Sequence, residues 1–150
     1  MRFEGKAALV TGAAGGIGAA IVRLLGAEGA RVAAADRDTG GIAAEAHLPG
    51  DLLNPAYADG LARAARDALG GLDIVVNNAG VITRGPVTDS TDADWTLSLG
   101  VNVEAPFRIC RAAIPLMAEA GGGAIVNAGL GIPTSLSATI LATMAVLFAA

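Results

Sequence analysis

Apolar residues fall along the chain in blocks that switch between two spacings. Ala7, Ala8, Leu9 and Val10 form an unbroken run, too short for a helix and stopped by Thr11 and Gly12, which predicts a strand buried on both faces. Over residues 17–25 the spacing becomes helical, with Ile17, Ile21, Val22, Leu24 and Leu25 apolar, and Gly26 and Gly29 close it. Residues 31–35 predict a second, weaker strand. Helical stretches follow at 42–46 and at 55–69, the latter opened by Pro55. Residues 72–76 (Leu72, Asp73, Ile74, Val75, Val76) predict the clearest strand. A polar stretch over 83–94 leads into a long helix at about 95–120, which Pro115 is expected to kink. Three glycines, Gly121 to Gly123, end it, and residues 124–127 predict another strand.

Strand and helix alternating at this rhythm predict an α/β fold, a doubly wound parallel sheet between two layers of helices. The 150 residues fit one domain, without repeat or linker. Composition narrows the partners. Apolar residues make up 53% and charged residues 16%, so a large core or a covered apolar surface is expected. A net charge of −4 argues against a nucleic-acid surface. One Cys and one His exclude an intramolecular disulfide and a Cys/His zinc cage. The first six residues carry Glu4 and no apolar core, unlike a signal peptide, and a cytoplasmic protein is expected. From Ala120 onward no residue is charged. The apolar tail over 138–150 is shorter than the ~20 residues a membrane span needs, so a helix in a core or an oligomer interface is expected instead.

The candidate chemistry begins at Thr11-Gly12-Ala13-Ala14-Gly15-Gly16-Ile17-Gly18, between the first strand and the first helix. Gly12 permits a tight turn, Gly16 lets a diphosphate approach the backbone, and Gly18 lets helix and strand pack closely. The helix start directs free N–H groups and its positive dipole end at the anion. Asp36, at the end of the second strand, has the spacing of a ribose-binding carboxylate. A carboxylate there accepts the ribose hydroxyls of NAD and repels the 2′-phosphate of NADP, so NAD is expected over NADP. Arg37, beside it, either offsets that repulsion or is a solvated loop charge.

On these residues the sequence resembles the short-chain dehydrogenase/reductase family. Thr11 to Gly18 matches its T-G-x-x-x-G-x-G motif, and Asn77-Asn78-Ala79-Gly80, after the strong strand, its N-N-A-G motif. Asp51-Leu52, Asn102 within Gly100-Val101-Asn102-Val103, and Gly123 to Asn127 match three further family positions. The likeness covers residues 3 to about 128. It implies a Rossmann fold and NAD(P)-dependent hydride transfer between alcohols and carbonyls. It further implies that the backbone of Ala14, Gly15, Gly16 and Ile17 holds the diphosphate, that Asp36 holds the adenosine ribose, and that Asp51 and Leu52 hold adenine. Asn78, Ala79 and Gly80 would line the cleft, Asn102 would serve structure and catalysis, and a homo-oligomer is expected. Asp51 alone fits a helix cap or turn equally well, and Asn77 and Asn78 also suit the satisfaction of backbone groups at a strand end.

The family's proton donor, a tyrosine with a lysine four residues later, has no counterpart in this sequence. The single tyrosine, Tyr57, is followed at that spacing by Leu61, and the single lysine, Lys6, precedes the first strand. Ile140 and Met144 fall in the two slots, with Ser135 and Ser137 nearby as expected loop or capping residues. Where the family's serine is expected, the chain reads Asn127-Ala128-Gly129-Leu130. By resemblance the sheet is incomplete at its C-terminal edge, leaving residues 124–127 as an open edge beside the divergent tail over 129–150. Cys110 is expected to be inert core, and His47 a surface or strand-end residue. Three readings follow: an oxidoreductase acting on an unidentified small alcohol or carbonyl, an NAD-binding pseudoenzyme or heteromeric partner, and a truncated or misread gene product.

Overall fold

The computed structural model describes residues 1–128. The expected slots at Ile140 and Met144, Ser135, Ser137 and the apolar tail lie outside the described residues. Five strands, β1 (Ala7–Thr11), β2 (Arg31–Asp36), β3 (Ala46–Pro49), β4 (Ile74–Asn77) and β5 (Ala124–Asn127), pair in the order β3-β2-β1-β4-β5. Every pairing is parallel. The helices are α1 (Gly16–Ala27), α2 (Pro55–Leu69), α3 (Asp92–Leu99) and α4 (Ala105–Glu119).

The unbroken apolar run of β1 is explained by helices on both sides of it. Ala7 and Leu9 point into a core shared with Leu61, Ala65 and Leu69 of α2 and Ile109, Ala113 and Met117 of α4. Ala8 and Val10 point into the other core, against Val22 and Leu25 of α1. In β2, Ala33 and Ala35 join the first core while Val32 and Ala34 join the second. Small side chains there let both helix layers approach the sheet closely.

One helix expectation is corrected and one refined. Residues 42–46 form no helix; the chain turns there and Ala46 opens β3, paired with Ala33 of β2. The alanines that suit a helix locally are captured by the exposed edge of β2, a tertiary gain that outweighs propensity. The long helix over 95–120 is three pieces: α3, a π-helical segment at Gly100–Glu104, and α4, which runs through Pro115. Ile17 and Leu24 do not face the core, being 69% and 58% exposed. The buried face of α1 is Gly18, Val22 and Leu25. Among the described residues, no helix is long and apolar enough to cross a membrane.

Candidate functional site

From β1 the sheet continues to β2 on one side and to β4 on the other, and the chain leaves the carboxyl ends of β1 and β4 toward helices on opposite faces, which makes this the switch point where a crevice forms. Two loops meet there. The Thr11 hydroxyl oxygen is buried and accepts the backbone N–H groups of Asn78 and Ala79, each at 3.1 Å. In return the Asn78 side-chain amide donates to the carbonyls of Thr11 and Gly12, at 3.1 and 3.2 Å. These bonds tie the glycine-rich turn after β1 to the loop after β4.

Gly12 adopts φ +64, and a Cβ on it would lie 2.7 Å from the Ala79 Cα. A Cβ on Gly18 would lie 2.0 Å from the Gly12 carbonyl oxygen. Both positions are closed to any side chain. Gly16 differs, because a Cβ there meets nothing within 4 Å. Its hydrogen faces open space, as do Ala14, Gly15 and Ile17, all exposed. No side chain caps α1, and no acidic residue stands in its first turn. The first-turn amides therefore present donors and a positive dipole end to whatever anion enters.

Asp36 closes one side of this opening. One carboxylate oxygen accepts the Ala14 N–H at 3.0 Å and the other accepts the Arg37 N–H at 2.7 Å. Each oxygen keeps a lone pair for a further donor. The Arg37 side chain is exposed beside it. Next along the rim, the Asp51 carboxylate accepts the Leu53 N–H at 2.9 Å, which makes it a turn residue. The cap of α2 is Asn54, whose side chain accepts from Ala56 and Tyr57. Leu52 packs partly against the core.

Asn102 lies in the π-helical segment, and both ends of its amide are engaged. It accepts the Val81 N–H and donates to the Val81 carbonyl, each at 2.9 Å. Asn102 thus works as a strand partner for the loop that leaves Gly80. Asn77 donates to Asn127 at 2.8 Å and contacts the Cys110 sulfur at 3.4 Å, joining β4, β5 and α4. Cys110 is buried, and that burial raises its thiol pKa while the Asn77 amide only partly offsets it. A cavity of about 210 Å³ lies farther along α3, lined by Thr83, Trp95 and Ser98 among others, and no residue of the glycine-rich turn contributes to it.

Tyr57 and Lys6 stand apart from one another. The Tyr57 hydroxyl donates to the Leu48 carbonyl at 2.5 Å, and burial, then the Asp36 charge, pushes its pKa up to about 12. Lys6 pairs with Asp73 at 2.9 Å, at the opposite, amino-terminal end of the sheet. His47 lies exposed in β3, its Nδ1 3.0 Å from the Thr39 carbonyl oxygen. No group of three His, Cys, Asp or Glu among the described residues is placed to hold a metal. Sequence reasoning assigned no task to the Thr11 hydroxyl or to Tyr57. Thr11 had a signal, a polar residue ending a wholly apolar strand; Tyr57 had none, since its partners are backbone atoms of another element.

Comparison with known proteins agrees with this geometry. The family model for short chain dehydrogenases matches residues 6–132. The D-threitol dehydrogenase of Mycolicibacterium smegmatis is 42% identical over 137 residues, 84% of this chain and 53% of the relative. A crystal structure of a candidate short-chain alcohol dehydrogenase from Sinorhizobium meliloti 1021 superposes with a TM-score of 0.80 at 37% identity, over 91% of this chain and 61% of that one. A short chain dehydrogenase from Burkholderia cenocepacia, crystallised with NADP, superposes with a TM-score of 0.73 at 35% identity, over 77% of this chain and 52% of that one. The chain thus spans little more than half the length of these relatives. With the glycine-rich turn, the paired asparagines and the all-parallel sheet in their places, the chain belongs to the short chain dehydrogenase family.

Proposed function

We propose that this chain binds a nicotinamide dinucleotide along the crevice between β1 and β4, as the cofactor-holding part of an oxidoreductase acting on small alcohols or carbonyls. The observation that carries the reading is the contrast among three glycines. Gly12 and Gly18 are locked by neighbouring backbone, whereas Gly16 is open at the uncapped start of α1. A glycine kept where packing does not require one leaves room for a ligand.

In this reading the amides of Gly16 and Ile17 hold the diphosphate beside the exposed backbone of Ala14 and Gly15, whose own N–H groups go to Asp36 and to the Gly12 carbonyl, and Asp36 accepts the adenosine ribose hydroxyls. Asp51 and Leu52 border the adenine, and Asn78, Ala79 and Gly80 line the path toward the nicotinamide. Bound there, the cofactor supplies a hydride donor or acceptor. Asn102 acts by holding Val81, and with it the loop that would flank the substrate. The Asp36 carboxylate favours NAD. The Burkholderia neighbour holds NADP, and Arg37 is the group here that would tolerate a 2′-phosphate.

Proton transfer is where the described residues depart from the family pattern that the sequence resembles. Tyr57 is committed to Leu48, and Lys6 to Asp73. We therefore expect dinucleotide binding without alcohol oxidation by these residues alone, the behaviour of a cofactor-binding partner. The exposed face of α4, where Arg111 stacks on the half-exposed Phe107 ring at 5.2 Å, is our candidate for self-association, in a cytoplasmic setting. The test is a titration with NADH and NADPH followed by a screen of secondary alcohols and ketones. Saturable NADH binding tighter than NADPH, without turnover, is expected. Turnover well above background would show that a proton donor lies elsewhere.

A further inference from the structure

We infer that Tyr57 is a positioning residue for the adenosine end of the site, holding the rim of β3 so that Asp36 and Asp51 keep their spacing. The inference rests on the dinucleotide reading above.

The rim needs such a hold. β3 has four residues and only one neighbouring strand among the described residues, β2. Beyond Pro49 its backbone makes one bond across the edge, from the Gly50 N–H to the Asp36 carbonyl at 2.9 Å. Tyr57 braces that segment from the other side. Its hydroxyl donates to Leu48, two residues before Gly50, and its ring lies against Gly50 so closely that a Cβ there would come within 2.2 Å of the ring Cε2. A continuous path therefore runs from the Tyr57 ring through Gly50 to the Asp36 backbone, and onward one residue to Asp51.

Tyr57 is itself fixed. It is the third residue of α2, its N–H is drawn to the Asn54 cap, and Pro55 presets the first turn. The bond to Leu48 uses the phenol proton, and the raised pKa keeps that proton in place at ordinary pH. The ring fills the space opposite Gly50, so Gly50 and Tyr57 form a matched pair in which neither tolerates a larger partner. Loss of the hydroxyl would loosen Leu48 to Asp51 first; Tyr57 itself makes no bond to the turn at Gly12 to Gly18, which it reaches only through Asp36 and the Ala14 N–H.

The experiment compares the full chain with Tyr57→Phe and Tyr57→Leu, titrated with NADH and, in competition, with AMP. Tyr57→Phe is expected to weaken AMP and NADH by the same factor, about fivefold, the scale of one lost hydrogen bond. Tyr57→Leu is expected to weaken both further; should it fail to fold, Tyr57→Phe alone decides. Titrated well below the melting temperature, where each variant is fully folded, a merely stabilising tyrosine would leave both affinities unchanged, so equal losses there place the effect in the adenosine half. Unchanged AMP affinity in Tyr57→Phe, or a loss seen with NADH but not AMP, would overturn the inference while leaving the dinucleotide reading intact. Failure of the unsubstituted chain to bind NADH would remove both.

Discussion

Gly18 packs so closely on Gly12 that a Cβ built on it falls 2.0 Å from the Gly12 carbonyl oxygen, a contact with backbone that cannot yield. Gly16, two residues earlier, has nothing within 4 Å. The substitutions G18A and G16A therefore should separate folding from binding. G18A is expected to destabilise the fold by ~1–3 kcal/mol through overpacking. G16A should leave the denaturation midpoint nearly unchanged, since a helical alanine is at least as favourable as glycine, and yet weaken NADH binding at least tenfold. Parallel urea denaturation and cofactor titration check both.

Asp36 faces the opening with both carboxylate oxygens already bonded to backbone N–H groups. Replacing it by Asn removes the charge and one acceptor. NADH affinity is expected to fall by about tenfold, the scale of a charge-assisted hydrogen bond. NADPH affinity should hold or rise, because a repulsive charge is gone. The ratio of the two dissociation constants is the quantity to measure.

Tyr57 gives the alkaline limb of stability a definite sign. Its phenol is raised to about 12 in the folded chain by burial, then by the Asp36 charge, against about 10 when unfolded. Between those values the unfolded state has lost a proton that the native state keeps. The stabilisation is whole below about pH 10 and declines as pH rises toward the folded value. Denaturation at pH 8 and at pH 11 should show a larger loss in the unsubstituted chain than in Y57F. Ultraviolet titration of D36N should show phenol ionisation shifted below that of the parent, because one of its two causes is removed.

Asp73 governs the acid limb. Burial works against its charge, but the Ala7 N–H and the Lys6 ammonium outweigh that and hold its pKa below the usual carboxylate range. D73A leaves the Ala7 N–H unpaired at the start of β1, at a cost of ~1–3 kcal/mol at neutral pH. A lowered pKa contributes stability above the unfolded value and loses it as pH falls through the folded one. The gap between parent and D73A in denaturant midpoint should therefore narrow as pH falls from 7 toward 3.

The parts legible from the residues alone were those specified by neighbours in the chain. The run Ala7 to Val10, the glycines behind it and the Pro55 start of α2 carry their conformations locally, and each is found where the pattern puts it. The departures are long-range. Ala46 to Pro49 become a strand because β2 offers an edge to pair with. The long helix widens to a π-helical segment at Gly100–Glu104, where Asn102 is bonded to Val81, twenty-one positions earlier. The pairing of Gly50 with the Tyr57 ring is likewise a contact between elements, invisible to spacing. In the site, the motif glycines already carry distinct expected tasks, and the structure adds the distances: backbone closes on Gly12 and Gly18, and a Cβ on Gly16 would meet nothing within 4 Å.

The most direct measurement is a calorimetric titration of this chain and its G16A variant with NADH. The account predicts one saturable site in the parent, lost or weakened at least tenfold in a G16A protein that melts normally. Absence of heat from the parent at millimolar cofactor, or undiminished binding by G16A, would contradict it.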